Sequence, residues 1–194
     1  KIESTNPCGE VPLLPYESCN LGSINLSKFV KEKTVDWELL EKTIAVAVRF
    51  LDNVIEVNQY SISEIKKMVT GNRKIGLGVM GWAEMLVLLE ISYDSDEAVS
   101  LAKNLMQFVE QKSKETSVHL SVQRGSFPNW EKSIYYPNTP IRNATRTSIA
   151  PTGTISIIAN TSPSIEPLFA LVYQRHHVLN DESLLSVNSF FTII

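Results

Sequence analysis

Residues 36–55 read DWELLEKTIAVAVRFLDNVI, and this stretch predicts a long amphipathic helix. Asp36 is the expected N-cap, and Glu38 lies in the first turn, where a carboxylate interacts favourably with the helix dipole. The apolar residues recur at spacings of three and four, which places them on one face; they are Trp37, Leu40, Ile44, Val48, Leu51 and Ile55. The sequence therefore predicts a helix of roughly 20 residues that buries one face.

A short helix and an apolar helix are predicted next along the chain. Ser61 and Glu64 form a capping box, and Gly71 is the expected stop of the helix that they begin. Residues 72–78 are predicted as a glycine-containing turn. Residues 79–89 are mostly apolar and predict another helix.

A fourth helix is predicted to begin at Asp94 or Ser95, either of which can act as its N-cap. Its apolar residues keep helical spacing, and the helix is expected to extend to about Leu120. Residues 123–145 contain Pro, Asn, Gly and aromatic residues without a period. They are predicted as a long, ordered surface connection.

Strand signals lie on either side of these helices. Residues 1–30 contain proline and glycine breaks, and residues 21–26 fit either a short extended segment or the start of a helix. Short strands are predicted at residues 145–150 and 165–173. Long helices that alternate with short strands favour an α/β or α+β fold.

The composition is that of an ordinary globular protein. The chain has 194 residues, of which 43% are hydrophobic, and its net charge of −3 argues against a nucleic-acid partner. Because it has no apolar run of about 18 residues and no signal-peptide pattern, we expect no membrane span and a cytoplasmic location. Two cysteines cannot form a disulfide framework or a four-thiolate zinc site. The start without Met and the apolar end lead us to expect a piece of a longer chain.

The first candidate site is the cluster Asn6-Pro7-Cys8-Gly9-Glu10. On an extended segment the side chains of residues 6, 8 and 10 point to one side, so an amide, a thiol and a carboxylate would face one substrate. Pro7 and Gly9 fit a tight loop that approaches a ligand closely. The alternative is a turn that holds a buried free cysteine without a chemical role.

The second cysteine, Cys19, follows Cys8 by eleven residues. In a reducing compartment such a pair suggests redox exchange or a metal rather than a structural disulfide. The histidines His119, His176 and His177 lie far from the cysteines and show no ligand spacing, so no metal site is predicted. His176 and His177 are interpreted as a solvated pair.

Two glycine-containing motifs could hold phosphates. Residues 76–81 match G-x-G-x-x-G, but no hydrophobic strand precedes them, so close packing of a helix against neighbouring backbone is favoured over a dinucleotide site. In the second motif a strand leads into hydroxyl-bearing residues and a helix start, where backbone N–H groups can bind phosphate; it comprises Pro151, Thr152, Gly153, Thr154, Ile155 and Ser156. The alternative is N-capping by Thr152 or Thr154.

Taken together, these segments resemble the large, catalytic subunit of ribonucleotide reductases. The matching residues are 6–10, 18–25, 70–78, 142–156 and 164–167. The Asn-Pro-Cys-Gly-Glu form and the cysteine spacing are most similar to the class II, adenosylcobalamin-dependent enzymes. The class I large subunit, which needs a radical-generating partner subunit, is the close alternative. A non-catalytic nucleotide- or phosphate-binding module is the alternative from another class.

The resemblance implies a partial ten-stranded α/β barrel of the ribonucleotide reductase and glycyl-radical type, with long helices and a finger loop. The whole of residues 1–194 would be a C-terminal fragment of the catalytic barrel. The finger loop would occupy about residues 1–26, the helical segment about 36–122 and the phosphate-loop segment about 142–175.

The resemblance also implies roles for individual residues. Cys8 would become the thiyl radical that abstracts the 3′ hydrogen of the ribose, and Glu10 would take the proton of the 3′ hydroxyl. Asn6 would hydrogen-bond the substrate and Glu10, and Cys19 would be one member of the redox pair. Substrate contacts are implied for Asn6, Pro7, Cys8, Gly9, Glu10, Pro151, Thr152, Gly153, Thr154, Ile155 and Ser156.

The implied partners follow from the same resemblance. They are a ribonucleoside di- or triphosphate, adenosylcobalamin, an external thioredoxin-like dithiol and a second copy of the full-length enzyme. The other redox cysteine of the family would lie outside these residues, so the isolated fragment is expected to be inactive. The active-site interpretation predicts that Cys8, Glu10 and residues 152–156 face one cleft.

Overall fold

The computed structural model describes residues 2–168, 170, 172–180 and 183–190, with side chains for residues 2–168 and 170. Its α-helices are α1 (Trp37–Val57), α2 (Ser63–Asn72), α3 (Trp82–Leu88), α4 (Asp96–Arg124) and α5 (Gly153–Ile158). Its strands are β1 (Ser4–Thr5), β2 (Pro12–Leu13), β3 (Asn20–Asn25), β4 (Val30–Lys31), β5 (Thr34–Val35), β6 (Ile75–Met80), β7 (Val172–Asn180) and β8 (Ser183–Phe190). Short 3₁₀ helices occupy Leu26–Phe29 and Trp130–Lys132.

A parallel pair of strands, β3 and β6, lies at the centre of the fold. Their register runs from Asn20 opposite Ile75 to Asn25 opposite Met80. On the other side of β6, Leu77 forms a parallel bridge with Thr147. Residues 145–148 therefore extend along β6 and bring the segment after α4 beside the segment before α1.

The predicted turn at 72–78 is wrong, because residues 75–80 form the strand β6. All six residues of β6 are buried. A strand buried on both faces shows no polar alternation, and for that reason its pattern was mistaken for a turn and a helix start. The glycines do serve close packing, but against an extended segment: a Cβ on Gly78 would collide with the backbone carbonyl oxygen of Ser148.

The long helix α1 is confirmed. The Asp36 carboxylate caps it by accepting a 2.9 Å hydrogen bond from the backbone N–H of Leu39. The predicted face is buried against the parallel strands and α4. The N-cap of α4 is Ser95, as predicted, and this helix continues slightly beyond the prediction to Arg124.

The ends of α2 differ from the prediction. The helix begins at Ser63 after Ile62, so Ser61 is not its cap. It ends after Asn72, and Arg73 takes the left-handed conformation at φ 48°. Gly71 lies inside the helix instead of ending it. The side chain of Arg73 is held in a buried ion pair with Asp52, which compensates for the unfavourable backbone of a non-glycine residue.

The segments after α4 are less regular than predicted. Residues 123–145 form a connection, but Phe127, Ile141 and Asn143 within it are buried. The predicted strand at 145–150 pairs with β6 through one bridge only. The predicted strand at 165–173 is displaced, because β7 begins at Val172 and pairs antiparallel with β8.

Two further predictions concern smaller features. Residues 21–26 form both of the structures considered, namely the strand β3 and then a 3₁₀ turn that starts at Leu26. The predicted apolar helix at 79–89 is the shorter α3. The prediction of a solvated pair at His176 and His177 lies outside the described side chains.

The described residues have mixed α/β content, with one apolar core between β3, β6 and the helices α1 and α4. Within this part of the chain the strands form two-stranded pairs and no closed barrel. None of the helices among these residues combines the length and apolar character needed to cross a membrane.

Candidate active site

Cys8 lies at the tip of a small hairpin. Strands β1 and β2 pair antiparallel, with Ser4 opposite Leu13. Between them Asn6 to Gly9 form a tight turn, in which the Gly9 N–H donates a 2.9 Å hydrogen bond to the Asn6 carbonyl. Gly9 has φ 82°, a conformation that favours glycine. The extended segment considered for residues 6, 8 and 10 is therefore wrong, whereas the tight loop expected at Pro7 and Gly9 is confirmed.

The thiol of Cys8 is exposed, not buried. The backbone N–H of Cys8 donates a 3.1 Å hydrogen bond to the Glu10 carboxylate, so the acid is held against the turn. The carbonyl of Glu10 in turn accepts a 3.1 Å hydrogen bond from the Ser148 hydroxyl. The alternative of a buried cysteine without access to ligands does not fit this geometry.

A cleft of about 330 Å³ unites the two predicted clusters. Its lining residues are Cys8, Glu10, Leu21, Gly22, Ser23, Ala150, Pro151, Thr152, Gly153, Thr154 and Ile155. Cys8 and Glu10 thus face the same space as the glycine- and threonine-containing segment. Asn6, Pro7 and Gly9 lie in the Cys8 turn but do not line the cleft, and Ser156 is buried and does not line it either.

The sequence interpretation missed part of the cleft wall. Leu21, Gly22 and Ser23 line it from strand β3. Their proximity to Cys19 in the sequence was the available signal, but only the parallel pairing of β3 places them opposite the threonine-containing segment.

The segment 151–156 changes direction at Thr152, which takes the left-handed conformation at φ 55°. Helix α5 starts directly after it. The Thr152 hydroxyl accepts a 2.7 Å hydrogen bond from the backbone N–H of Ser164. Side-chain capping by Thr152 is therefore wrong, because its hydroxyl instead ties the start of α5 to the loop that follows the helix.

Cys19 lies immediately before β3, and burial raises the pKa of its thiol to about 12. The positive charge of Lys74 acts in the opposite direction, while the carboxylates of Glu17 and Glu10 add to the increase in the pKa. The thiol donates a 3.5 Å hydrogen bond to the Asn20 carbonyl. The Cys19 thiol is thus protonated at neutral pH, and it lies close enough to Glu10 for the carboxylate charge to raise its pKa.

The two arginines that shortly precede residues 151–156, Arg142 and Arg146, form ion pairs with carboxylates. The guanidinium of Arg142 donates to the carboxylate of Asp52 at 3.3 Å, and that of Arg146 pairs with Glu110. Burial alone would raise the pKa of Asp52, but the hydrogen bond and charge of Arg73, with the charge of Arg142, hold it below its usual range. Among residues with described side chains, no cluster of acidic residues, His or Cys could hold a metal ion.

A family model described as the barrel domain of ribonucleotide reductase matches residues 1–139 and 136–192. This chain belongs to the ribonucleotide reductase barrel-domain family. The family assignment rests on matches that together cover nearly all of the sequence, including the Cys8 turn and the segment 151–156.

Several curated relatives were found by comparison. The chain is 55% identical over 192 residues to a vitamin B12-dependent ribonucleoside-diphosphate reductase of Thermoplasma acidophilum, covering 98% of this chain and 25% of the relative. It is 53% identical to a protein of the same name from Mycobacterium tuberculosis, covering 98% of this chain and 27% of the relative. Identity falls to 31% with a ribonucleoside-diphosphate reductase subunit alpha of Chlamydia muridarum, covering 96% and 22%. The chain thus spans about a quarter of the length of these relatives.

Proposed function

We propose that this chain supplies the catalytic cleft of an enzyme that reduces ribonucleotides to 2′-deoxyribonucleotides, as part of a longer polypeptide. The observation that carries the proposal is the shared cleft of Cys8, Glu10 and residues 151–155. A thiol, a carboxylate and a segment rich in small and hydroxyl-bearing residues then face one substrate. Membership of the reductase family supports assigning the reaction to this cleft.

In the proposed reaction Cys8 acts as a thiyl radical and takes the 3′ hydrogen of the ribose. Its exposure at the tip of the turn leaves its sulfur accessible from the cleft. Glu10 takes the proton of the 3′ hydroxyl as a positioned general base, which helps water to leave C2′. The hydrogen bond from the Cys8 N–H holds the Glu10 carboxylate beside the thiol. Asn6, in the same turn, is proposed to hydrogen-bond the substrate, with Pro7 and Gly9 shaping the contact.

The phosphates of the substrate are proposed to bind at Pro151 to Ser156. Since Arg142 and Arg146 are paired with carboxylates, we assign phosphate binding to backbone N–H groups and threonine hydroxyls. The bond between Thr152 and Ser164 supports this assignment, because it fixes the backbone of the segment.

Cys19 is proposed as one member of the redox pair, whose second cysteine lies outside this chain. The two thiols would together supply two electrons and two protons to the substrate and close to a disulfide. The position of Cys19 supports the proposal, because it directly precedes β3, whose residues Leu21 to Ser23 line the same cleft as Cys8. An external thioredoxin-like dithiol would reopen the disulfide.

Adenosylcobalamin is the proposed cofactor, because the relatives at 53–55% identity are named vitamin B12-dependent. When bound, it would supply the radical chemistry that converts Cys8 to its thiyl form. The exposed thiol of Cys8 fits an external group that must reach its sulfur. The class I alternative, with a radical-generating subunit, receives less support from the 31% identity to the subunit alpha.

Finer features of the whole enzyme are part of the same proposal. The names of the relatives favour a ribonucleoside diphosphate over a triphosphate. We propose that other parts of the longer polypeptide, outside residues 1–194, complete a ten-stranded barrel around the Cys8 turn, and that the full-length enzyme is a cytoplasmic homodimer.

The decisive experiment supplies the longer polypeptide with a ribonucleoside diphosphate, adenosylcobalamin and a dithiol. We expect 2′-deoxynucleoside diphosphate to form only when adenosylcobalamin and the dithiol are both present with the substrate. Activity that requires a second protein subunit instead of adenosylcobalamin would favour class I. Nucleotide binding without reduction under all these conditions would favour the non-catalytic module.

A further inference from the structure

The hairpin that carries Cys8 has little stability of its own. Strands β1 and β2 have two residues each, and an isolated two-stranded hairpin is marginal in water. The contacts that hold Cys8 and Glu10 in place must therefore come from outside the turn. One is the bond from Ser148 to Glu10. Burial of Val11 and Leu13 is another. A polar set of contacts lies at the far end of the hairpin, where β2 meets the chain that leads to Cys19.

A buried ion pair lies at that end. The Lys74 ammonium donates to the Glu17 carboxylate at 2.7 Å, and the Glu17 side chain is fully buried. The same ammonium donates to the carbonyl of Pro12, in strand β2, at 3.1 Å. Lys74 thus bridges β2 and Glu17 from its position directly before β6.

The carboxylate of Glu17 has two further partners. It accepts a 2.8 Å hydrogen bond from the backbone N–H of Leu14 and another from the side-chain amide of Asn72. The amide oxygen of Asn72 accepts in turn from Asn129 at 2.8 Å. This buried carboxylate therefore joins the end of the hairpin to the end of α2. Both of its oxygens accept hydrogen bonds, as a buried carboxylate requires.

The pair also adjoins the second cysteine. In the parallel register Asn20 lies opposite Ile75, and Cys19 and Lys74 directly precede these two residues. The charge of Lys74 acts on the pKa of the Cys19 thiol, which shows that the two groups are neighbours. Glu17 precedes Cys19 by two residues. One ion pair is consequently in contact with the base of the Cys8 hairpin and adjacent to Cys19.

We propose that Lys74 and Glu17 are positioning residues, which fix the Cys8 turn relative to Cys19 and the cleft. The inference deepens the proposed function and rests on it. Loss of the pair would let the hairpin move relative to Cys19. A radical formed at Cys8 would then start the reaction on substrate that Cys19 is not positioned to reduce, so more substrate would break down. A buried ion pair suits this role, since breaking it leaves one charge without a partner.

The test uses the longer polypeptide with Lys74→Met, which keeps the aliphatic stem and removes the ammonium. Lys74→Arg is the conservative variant, because it can still donate to both oxygens. Lys33→Met is the matched control: Lys33 pairs with Glu90 at the same 2.7 Å, but both side chains are about two-thirds exposed. The double variant Glu17→Gln with Lys74→Met also removes the buried charge that could unfold the single variant.

The first readout is hydrogen exchange of the hairpin amides, and it does not depend on activity. Exchange at residues 2–14 should rise at least about tenfold in Lys74→Met and in the double variant, while exchange in α1 stays unchanged. Lys33→Met should leave the hairpin unchanged. Unchanged exchange in both Lys74→Met and the double variant, or equal acceleration throughout the protein, would overturn the proposal.

The second readout is the ratio of substrate breakdown, measured as free base released, to deoxynucleotide formed. This ratio should rise in Lys74→Met and return toward the unmodified value in Lys74→Arg. A fall of both products in parallel would indicate only a loss of stability and would contradict a positioning role. If the unmodified protein reduces no nucleotide, the proposed function fails, whereas the hydrogen-exchange result still decides whether the pair holds the hairpin.

Discussion

The hydroxyl of Ser148 donates a 3.1 Å hydrogen bond to the backbone carbonyl of Glu10, across 138 residues of sequence. Ser148 belongs to the extended segment beside β6, shortly before residues 151–156, and Glu10 belongs to the Cys8 turn. The two sides of the cleft are therefore joined by a direct bond as well as by the strands beneath them. Changes that displace residues 145–148 should therefore shift both the Cys8 turn and residues 151–155.

Gly78→Ala is expected to displace this segment. The added Cβ would collide with the backbone carbonyl oxygen of Ser148, which cannot rotate away as a flexible side chain can. We expect a loss of about 1–3 kcal/mol in the free energy of unfolding, measured by urea denaturation. The control is Gly22→Ala, whose Cβ would meet the mobile end of Leu51 at an ordinary 3.4 Å. Equal stability of the two variants would contradict the assigned close packing.

The two cysteines should react differently with iodoacetamide. Cys8 is exposed, whereas Cys19 is partly buried with a pKa raised to about 12, so little thiolate forms there near pH 8. We expect one modification in the folded protein, located at Cys8 by mass spectrometry, and two in urea. The rate at Cys19 should rise as the pH increases above 8. Faster labelling of Cys19 than of Cys8 in the folded protein would show that the environment of Cys19 is misassigned.

The acid stability of the protein should depend on Asp52. Its side chain is fully buried and pairs with Arg73 and Arg142, which hold its pKa below the ordinary value. A carboxyl group with a lowered pKa stabilises the fold above its unfolded pKa of about 3.9, and this contribution is lost as the pH falls through the folded pKa. Stability measured in urea should therefore decline at the acidic end.

Asp52→Asn tests this dependence, because it removes the buried carboxylate shared by Arg73 and Arg142 and leaves the half-exposed Glu56 as their remaining anionic partner. We expect a loss of about 3–5 kcal/mol at pH 7, and a smaller difference from the unmodified protein as the pH falls below about 3.9. Glu38→Gln is the control, since Glu38 pairs with Lys42 on the exposed face of α1 and its loss, together with its interaction with the helix dipole, should cost less than about 1 kcal/mol. A difference that stays constant between pH 7 and pH 3 would refute the assigned titration.

Local patterns allowed the helices to be predicted, but they did not reveal the central strand. The period of α1 and its cap at Asp36 depend only on neighbours within one turn, so the sequence contains the information. The strand β6 is buried on both faces and its glycines pack against Ser148, about 70 residues away, so no local alternation marks it. The strand conformation of β6 depends instead on its pairing with β3 and with residues 145–148, which are distant in the sequence.

The candidate site shows the same division. The resemblance indicated Cys8, Glu10 and residues 151–156, and five of these last six line the cleft with the thiol and the acid. The pair of Lys74 and Glu17 could not be predicted, because charged residues in a polar stretch normally indicate solvent exposure. Contacts between segments 57 residues apart in the sequence bring the two charges together and bury Glu17.

The last prediction separates the proposed roles of the cysteines in the longer polypeptide. Cys8→Ser should abolish nucleotide reduction, because an alcohol O–H bond is too strong for serine to replace the thiol as a radical carrier. Cys19→Ser should leave the radical step intact and block its completion. The expected sign is exchange of the 3′ hydrogen or release of the base, without a steady yield of deoxynucleotide. Both activities are measured per folded molecule, so that a change in stability is not read as a change in chemistry.

The outcome for two merely structural cysteines would be different. Each serine would then cost stability, about 1–3 kcal/mol where a buried hydroxyl finds no partner, and turnover per folded molecule would not change. Such a cost could arise at Cys19, which is partly buried, but not at the exposed Cys8. Normal turnover in Cys8→Ser would thus remove the radical role. If neither variant breaks the substrate down, the division of roles between Cys8 and Cys19 is wrong.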